Sequence, residues 1–214
     1  MACKIAVLDF DGVILESADI KTRAFRALFA RHPEHVDAIV DHHLRNAGIS
    51  RYEKFRHILG NILGQSVTDA RLAALGSRFS ELVTAEIEKA PFVPGALEFV
   101  KGYSRKMRLY VASGTPEDEL LAIVTGKGLR PYFRGVYGSP ATKPQILSEI
   151  LAAESASCFE AVFVGDARTD YEAAKAVGVP FVGRASRGSH ENPFRDLAIP
   201  VLPDLSGLGS LVSP

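Results

Sequence analysis

Short, continuous runs of apolar residues recur at Ile5–Leu8, Leu109–Ala112, Val136–Tyr137, Ala161–Val164, Phe181–Val182 and Ile199–Leu202. They lack the alternation of a half-exposed sheet, so they predict strands covered on both faces. Beyond residue 92 they alternate with helical patterns, which predicts right-handed crossovers and a parallel sheet. Between Ser17 and Ala90 the period changes. Phe25, Leu28 and Phe29 form one stripe, and Val36, Ile39, Val40 and Leu44 a second. Phe55, Ile58, Leu59, Ile62 and Leu63 form a third, and Leu72, Leu75, Phe79, Leu82, Val83 and Ile87 a fourth. All four have helical spacing, and Pro33, Gly48 and Gly64 punctuate them. The expected architecture is therefore α/β. A doubly wound parallel sheet core (residues 1–16 and 91–214) carries an inserted all-helical cap (residues 17–90). The stiff turn Pro91-Phe92-Val93-Pro94-Gly95 suits the return to the core.

Composition narrows the classes. Of 214 residues, 47% are hydrophobic, which excludes a disordered chain. Lys+Arg and Asp+Glu number 25 each, so no global field attracts nucleic acid or an anionic membrane. No apolar run approaches the roughly 20 residues of a membrane span. The opening Met1-Ala2-Cys3-Lys4-Ile5 does not read as a signal peptide. Cys3 and Cys158 are too few for a disulfide framework or a four-cysteine zinc site and read as reduced thiols. A soluble, cytoplasmic protein is expected, partnering neither nucleic acid nor membrane.

The chemistry lies where strands end. The first run leads into Asp9-Phe10-Asp11-Gly12, the second into Ser113-Gly114-Thr115, and a later one into Gly165-Asp166. Ligands of open parallel sheets bind outside the carboxyl ends of the strands. Asp9 and Asp11 are two apart, so while the chain stays extended both face that crevice. Gly12 permits the turn that follows. A third carboxylate, Asp166, arriving beside them calls for protonation or a cation, and all-oxygen ligands suit Mg²⁺.

Ser113 and the Gly114 amide can bind phosphate oxygens, and Lys143 would supply positive charge. Thr115 before Pro116 reads as a helix cap. Thr169 to Glu172 reads as a capping box, with Gly178 as the helix stop. Lys21 and Lys54 read as surface lysines on amphipathic helices. His32, His35, His42 and His43 read as surface or cap-packing residues without zinc-site spacing.

Together these residues resemble the haloacid dehalogenase-like superfamily of hydrolases, in its phosphoglycolate phosphatase and β-phosphoglucomutase branch. Four motifs match in order: Asp9-Phe10-Asp11-Gly12-Val13, Ser113, Lys143-Pro144, and Gly165-Asp166 with Asp170. The helical insertion resembles that branch's cap. The resemblance implies a Mg²⁺-dependent phosphatase acting on a small phosphorylated metabolite. Asp9 would be the nucleophile that takes the phosphoryl group, and Asp11 the general acid and base. Ser113 and Lys143 would hold phosphoryl oxygens. Asp9, the Asp11 backbone carbonyl and Asp166 would bind the metal, with Asp170 supporting. Gly12, Gly114 and Arg51 are the expected substrate-binding residues.

Glu16-Ser17, Ala167 and the proline pattern after Lys143 depart from the branch without touching the reacting groups. A phospho-receiver domain is a competing reading, but its paired acids are adjacent and it carries no helical insertion. A phosphomutase is the nearer alternative. Gly48-Ile49-Ser50-Arg51-Tyr52-Glu53 resembles a sugar-phosphate loop, in which Arg51 would hold a distant anion or else lie exposed. Apart from Arg51, the same segment reads as a helix stop at Gly48 and a cap at Ser50, with Glu53 completing a capping box.

Overall fold

In the computed structural model, which describes residues 3–186 and 192–212, each predicted run forms a strand. They are β1 (Ile5–Leu8), β2 (Arg108–Pro116), β3 (Gly135–Ser139), β4 (Ala161–Gly165), β5 (Phe181–Arg184) and β6 (Val201–Leu202). All neighbours pair in parallel, in the order β3-β2-β1-β4-β5-β6. The first strand thus lies centrally. Both its neighbours come from beyond residue 100.

Burial on both faces explains the unbroken apolar runs. Ala6, Leu8, Leu109 and Val111 join one apolar cluster with α5 (Ala96–Tyr103), α6 (Glu117–Gly126) and the short α9 (Leu208–Leu211). Ile5, Val7, Tyr110 and Phe163 join the other, with α7 (Lys143–Ala153) and α8 (Arg168–Val177). Alternate residues of each strand therefore serve opposite layers, as the period of two requires. Gly178 ends α8 in the left-handed conformation, as expected of a stop.

The block between β1 and β2 is helical. It comprises α1 (Ala18–Leu28), α2 (Val36–Arg45), α3 (Arg51–His57) continued by a π-helical turn (Ile58–Ile62), and α4 (Asp69–Lys89). Phe25, Phe55 and Phe79 meet at its centre, with ring centroids 5.0–6.1 Å apart. Truncating one such phenylalanine typically costs about 3–5 kcal/mol. This packing is continuous with the α5–α6 layer of the core.

Two chain segments join block and core, and they run side by side: Glu16 N donates to the Pro91 carbonyl and Val93 N to the Ile14 carbonyl, each at 3.0 Å. Glu16 also forms a two-pronged ion pair with the buried Arg184 at the end of β5, at 2.5 and 3.0 Å. Among the described residues, no helix is long and apolar enough to cross a membrane.

Candidate active site

Asp9 follows the central strand, and its amide donates to the Val164 carbonyl of β4 at 2.9 Å. That bond sets it level with the end of β4, after which Asp166 follows. Its carboxylate is anchored twice. Oδ1 accepts from the Phe10 amide at 2.7 Å, and Oδ2 lies 2.9 Å from Lys143 Nζ. The same ammonium lies 2.5 Å from Asp170 Oδ1. One oxygen on each of Asp9, Asp166 and Asp170 lies within 4.8 Å of the others.

Burial pushes the Asp9 carboxyl up to about 7, against the pull of Lys143. Burial, then the neighbouring Asp9 and Asp170 charges, holds Asp166 well above the usual carboxylate range. Lys143 is raised above its ordinary value: burial opposes its charge, but Asp170 and Asp9 outweigh it. An excess of converging carboxylate is the donor set a hard divalent cation requires. Gly12 is part of this packing. Its φ is +74°, and a Cβ there would collide with the Asp166 carboxylate.

Asp11 sits in different surroundings. Its Oδ1 accepts from Ser17 Oγ at 2.6 Å, and Oδ2 meets Lys21 Nζ at 2.5 Å and Thr115 Oγ1 at 3.2 Å. Burial alone would raise its pKa, but the Lys21 charge and these three hydrogen bonds hold it below the usual range. With its side chain so engaged, the cluster with Asp9 and Asp166 forms around Asp170 instead.

Two expectations change here. Thr115 is no helix cap: β2 continues to Pro116, which precedes α6, and the Thr115 hydroxyl serves Asp11 and Lys21. Lys21 is no surface lysine, because a carboxylate and a hydroxyl draw it into the crevice. Ser113 is buried, and its hydroxyl accepts from the Thr115 amide at 3.1 Å. A Cβ on Gly114 would approach the Gly48 and Ile49 carbonyls to 2.6–2.7 Å. The helical block closes onto the Ser113-Gly114 turn at that point.

The block supplies the cavity's other wall. A cavity of about 90 Å³ lies between Asp9, Asp11 and Ser113 on one side and Lys21, Arg51 and Lys54 on the other. Arg51 does not lie exposed, and it lines the cavity with a carboxylate already at hand. It is buried, donating to Ser80 Oγ at 2.9 Å and bridging to Glu119 Oε1 at 2.7 Å, so an acid of α6 already occupies its fork.

Lys54 departs too: it is buried against His43, with Nζ 3.1 Å from Nδ1. Burial, then Lys21 and Lys143, pushes Lys54 down to about 7. His43 stacks on Phe25 at 4.3 Å. Burial, with Lys54 and Lys21 nearby, pushes it down to about 2. Ser50 caps α3 as expected, accepting from the Tyr52 amide at 3.3 Å, but the cap is this single bond and not the expected box through Glu53.

A family model described as haloacid dehalogenase-like hydrolase matches residues 3–178. The chain belongs to that family. A phosphoglycolate phosphatase of Rhodospirillum rubrum is 31% identical over 151 residues, covering 67% of this chain and 61% of its own length. One from Pseudomonas fluorescens is 25% identical over 203 residues, covering 90% and 73%. The first alignment thus spans about three fifths of the Rhodospirillum protein. The fold is similar to a crystal structure of CbbY from Rhodobacter sphaeroides in complex with xylulose-(1,5)-bisphosphate. That likeness has a TM-score of 0.77 at 18% identity and covers 99% of this chain and 100% of the other.

Within this haloacid dehalogenase-like chain, Asp9, Asp11, Gly12, Ser113, Gly114, Lys143, Asp166 and Asp170 gather at the carboxyl ends of β1, β2 and β4. The helix after Asp166 starts differently from the expected box. Ala167 is its cap residue, its amide donating to Asp170 Oδ2 at 3.1 Å. Asp170 thereby fixes both the helix start and Lys143. Thr169 instead donates to the Ala47 carbonyl across the cap boundary. Glu119 and Arg184 escaped sequence reasoning altogether. For Glu119 the one available signal was the acidic first turn of α6; for Arg184, a charge at the end of an otherwise apolar strand.

Proposed function

We propose that this chain is a Mg²⁺-dependent phosphatase that releases phosphate from a small phosphorylated metabolite through an aspartyl-phosphate. The observation that carries the reading is the division of labour within one Asp-x-Asp pair. Asp9 is clamped by Lys143 and the Phe10 amide at the end of the central strand, while Asp11 turns to Lys21, Ser17 and Thr115. Such a pair suits a carboxylate nucleophile beside a proton-transfer group.

An Asp9 oxygen would attack phosphorus as the ester's P–O bond breaks. The departing oxygen takes a proton through Asp11, and Lys21, 2.5 Å away, is a donor in contact with that carboxylate. In the second half, ionised Asp11 takes a proton from water as that water attacks phosphorus and frees Asp9. Ser113, the Gly114 amide and Lys143 would hold the phosphoryl oxygens, with charge neutralisation supplying much of the catalysis. Bound Mg²⁺ would add positive charge against the crowded carboxylates and the phosphoryl oxygens. Asp9, Asp166 and the Asp11 backbone carbonyl would hold it, with Asp170 behind.

Residues 17–90 would act as a cap over the core of residues 1–16 and 91–214, excluding bulk water from the reaction. The internal bridge from Arg51 to Glu119 favours the phosphatase over the mutase, which needs that arginine for a second phosphate. The two cysteines unpaired in the structure support a reducing, cytoplasmic setting. The test is phosphate release from a panel of phosphorylated metabolites, lost in chelator and restored by Mg²⁺. Full activity in excess chelator defeats the metal requirement. Primed interconversion of sugar 1- and 6-phosphates defeats the phosphatase reading.

A further inference from the structure

Four cationic side chains of the site are buried or nearly so, and three of them meet a carboxylate. Lys143 meets Asp9 and Asp170, Lys21 meets Asp11, and Arg51 meets Glu119. Lys54 is 4% exposed and meets none among the described residues. Both its partners belong to His43: the ring Nδ1 at 3.1 Å and the backbone carbonyl at 3.4 Å.

The polarity of this contact follows from chemistry. When Lys54 is an ammonium it only donates, so Nδ1 then accepts and the neutral ring carries its hydrogen on Nε2. That nitrogen faces Thr22 Oγ1 at 3.3 Å, and the Thr22 hydroxyl donates onward to the Ala18 carbonyl at 3.3 Å. Every donor in the relay points away from Lys54, and Asp11 and Asp166 act on it only from beyond ion-pair distance. Three ammonium hydrogens have two such acceptors, and the side chain lines the cavity that holds Asp9.

We propose that Lys54 is the receptor for a second anionic group, carboxylate or phosphate, on the leaving-group side of the substrate. The substrate class is then a small phosphomonoester carrying two anions. This rests on the phosphatase reading for the placement of the phosphoryl end at Asp9. Burial disfavours the ammonium of Lys54, no carboxylate among the described residues contacts it, and an anion entering beside it stabilises the charged form. A neutral leaving group does not, so the buried charge selects by penalty as well as by attraction. Arg51 cannot take this part while its fork is held by Ser80 and Glu119.

The test is calorimetric titration of the Mg²⁺-loaded protein with two inert ligands. One is 3-phosphonopropionate, with a carboxylate opposite its phosphonate; the other is propylphosphonate, which ends in a methyl group. The wild type should favour the diacid by roughly 10–100-fold. Lys54→Met, a substitution by an apolar chain of similar length, should bring that ratio close to one, and Lys54→Arg should keep part of it. Propane-1,3-diphosphonate separates a second phosphate from a carboxylate: tighter binding of either diacid, lost in Lys54→Met, supports the assignment. Equal wild-type affinity for 3-phosphonopropionate, the diphosphonate and propylphosphonate overturns it and leaves the phosphatase reading standing, as does a diacid preference that survives Lys54→Met. Absence of any phosphonate binding overturns both.

Discussion

The core and the cap handle buried charge differently. On the core side each functional acid is placed by a strand end or helix start and held by backbone amides or nearby side chains, as Asp9 is by the Phe10 amide and Asp170 by the Ala167 amide. On the cap side the charges are cations carried by helices, and packing presses them inward. Arg51 finds an acid across the boundary, while Lys54 contacts the neutral imidazole and the backbone carbonyl of His43. On the proposed function the core would supply a pre-organised reacting centre, while the cap supplies charge whose balance depends on what it closes over. Core substitutions should therefore act on the chemical step, and cap substitutions on stability and selection.

The strongest way to break this contrast is at Asp9. Asp9→Asn should lower kcat by at least about 10⁴-fold, the scale on which covalent machinery fails when its nucleophile is removed. Its far-UV circular dichroism should match wild type, because the amide oxygen can still accept from the Phe10 amide while Lys143 keeps Asp170. Substantial turnover in that variant would remove the nucleophile from the core.

Asp11→Asn should cost kcat roughly 10²–10⁴-fold, the usual size of a general acid–base contribution, and should flatten the pH–rate profile. A near-wild-type rate would leave Asp11 only the structural part of holding Lys21 and Thr115.

Arg51→Met should act mainly on folding. It leaves Glu119 facing a partly buried gap, and loss of one partner of such a pair should destabilise by about 2–3 kcal/mol in a urea titration. Adding Glu119→Gln should recover part of that loss, since the double variant strands no charge. A large kcat loss with unchanged stability would make Arg51 part of the chemistry and erase the contrast.

The smallest effect is a slope in pH. His43 is held at about 2 in the fold, below its ordinary value near 6.5. Its contribution is fully present above that ordinary value and is lost as pH falls, because the unfolded chain takes a proton that the folded one refuses. Stability should decline by about 1 kcal/mol per pH unit between pH 6 and 4 from this group. His43→Gln should remove that component, read as the difference between the two proteins' melting temperatures across the range.

The core acids were legible because two local signals coincide. A buried strand announces itself as an apolar run, and an acid directly after it has only the crevice to enter. Lys54 offered no such signal. On α3 it stands among Arg51, Tyr52, Glu53, Arg56 and His57, where a charged residue reads as solvent-facing. Its burial follows from α1 and α2 packing over it, with Phe25 beneath and His43 beside. Thr115 misled for a related reason. Hydroxyl-Pro-acid is sound capping chemistry, but an ionised carboxylate and an ammonium within reach attract a hydroxyl more strongly than a helix terminus does.

By itself the sequence determined the order and kind of the elements, the insertion of the helical block, and the groups waiting at the strand ends. Those depend on periods of two and 3.6 residues and on near neighbours, so a short window contains their cause. Only the tertiary structure decided which charge answers which. Lys21 reaches Thr115 across 94 positions, Arg51 reaches Glu119 across 68, and Arg184 reaches Glu16 across 168. Such pairings fall off steeply with distance and depend on burial, and both are set only when cap and core close on one another. The same closure leaves Lys54 with no carboxylate in contact among the described residues.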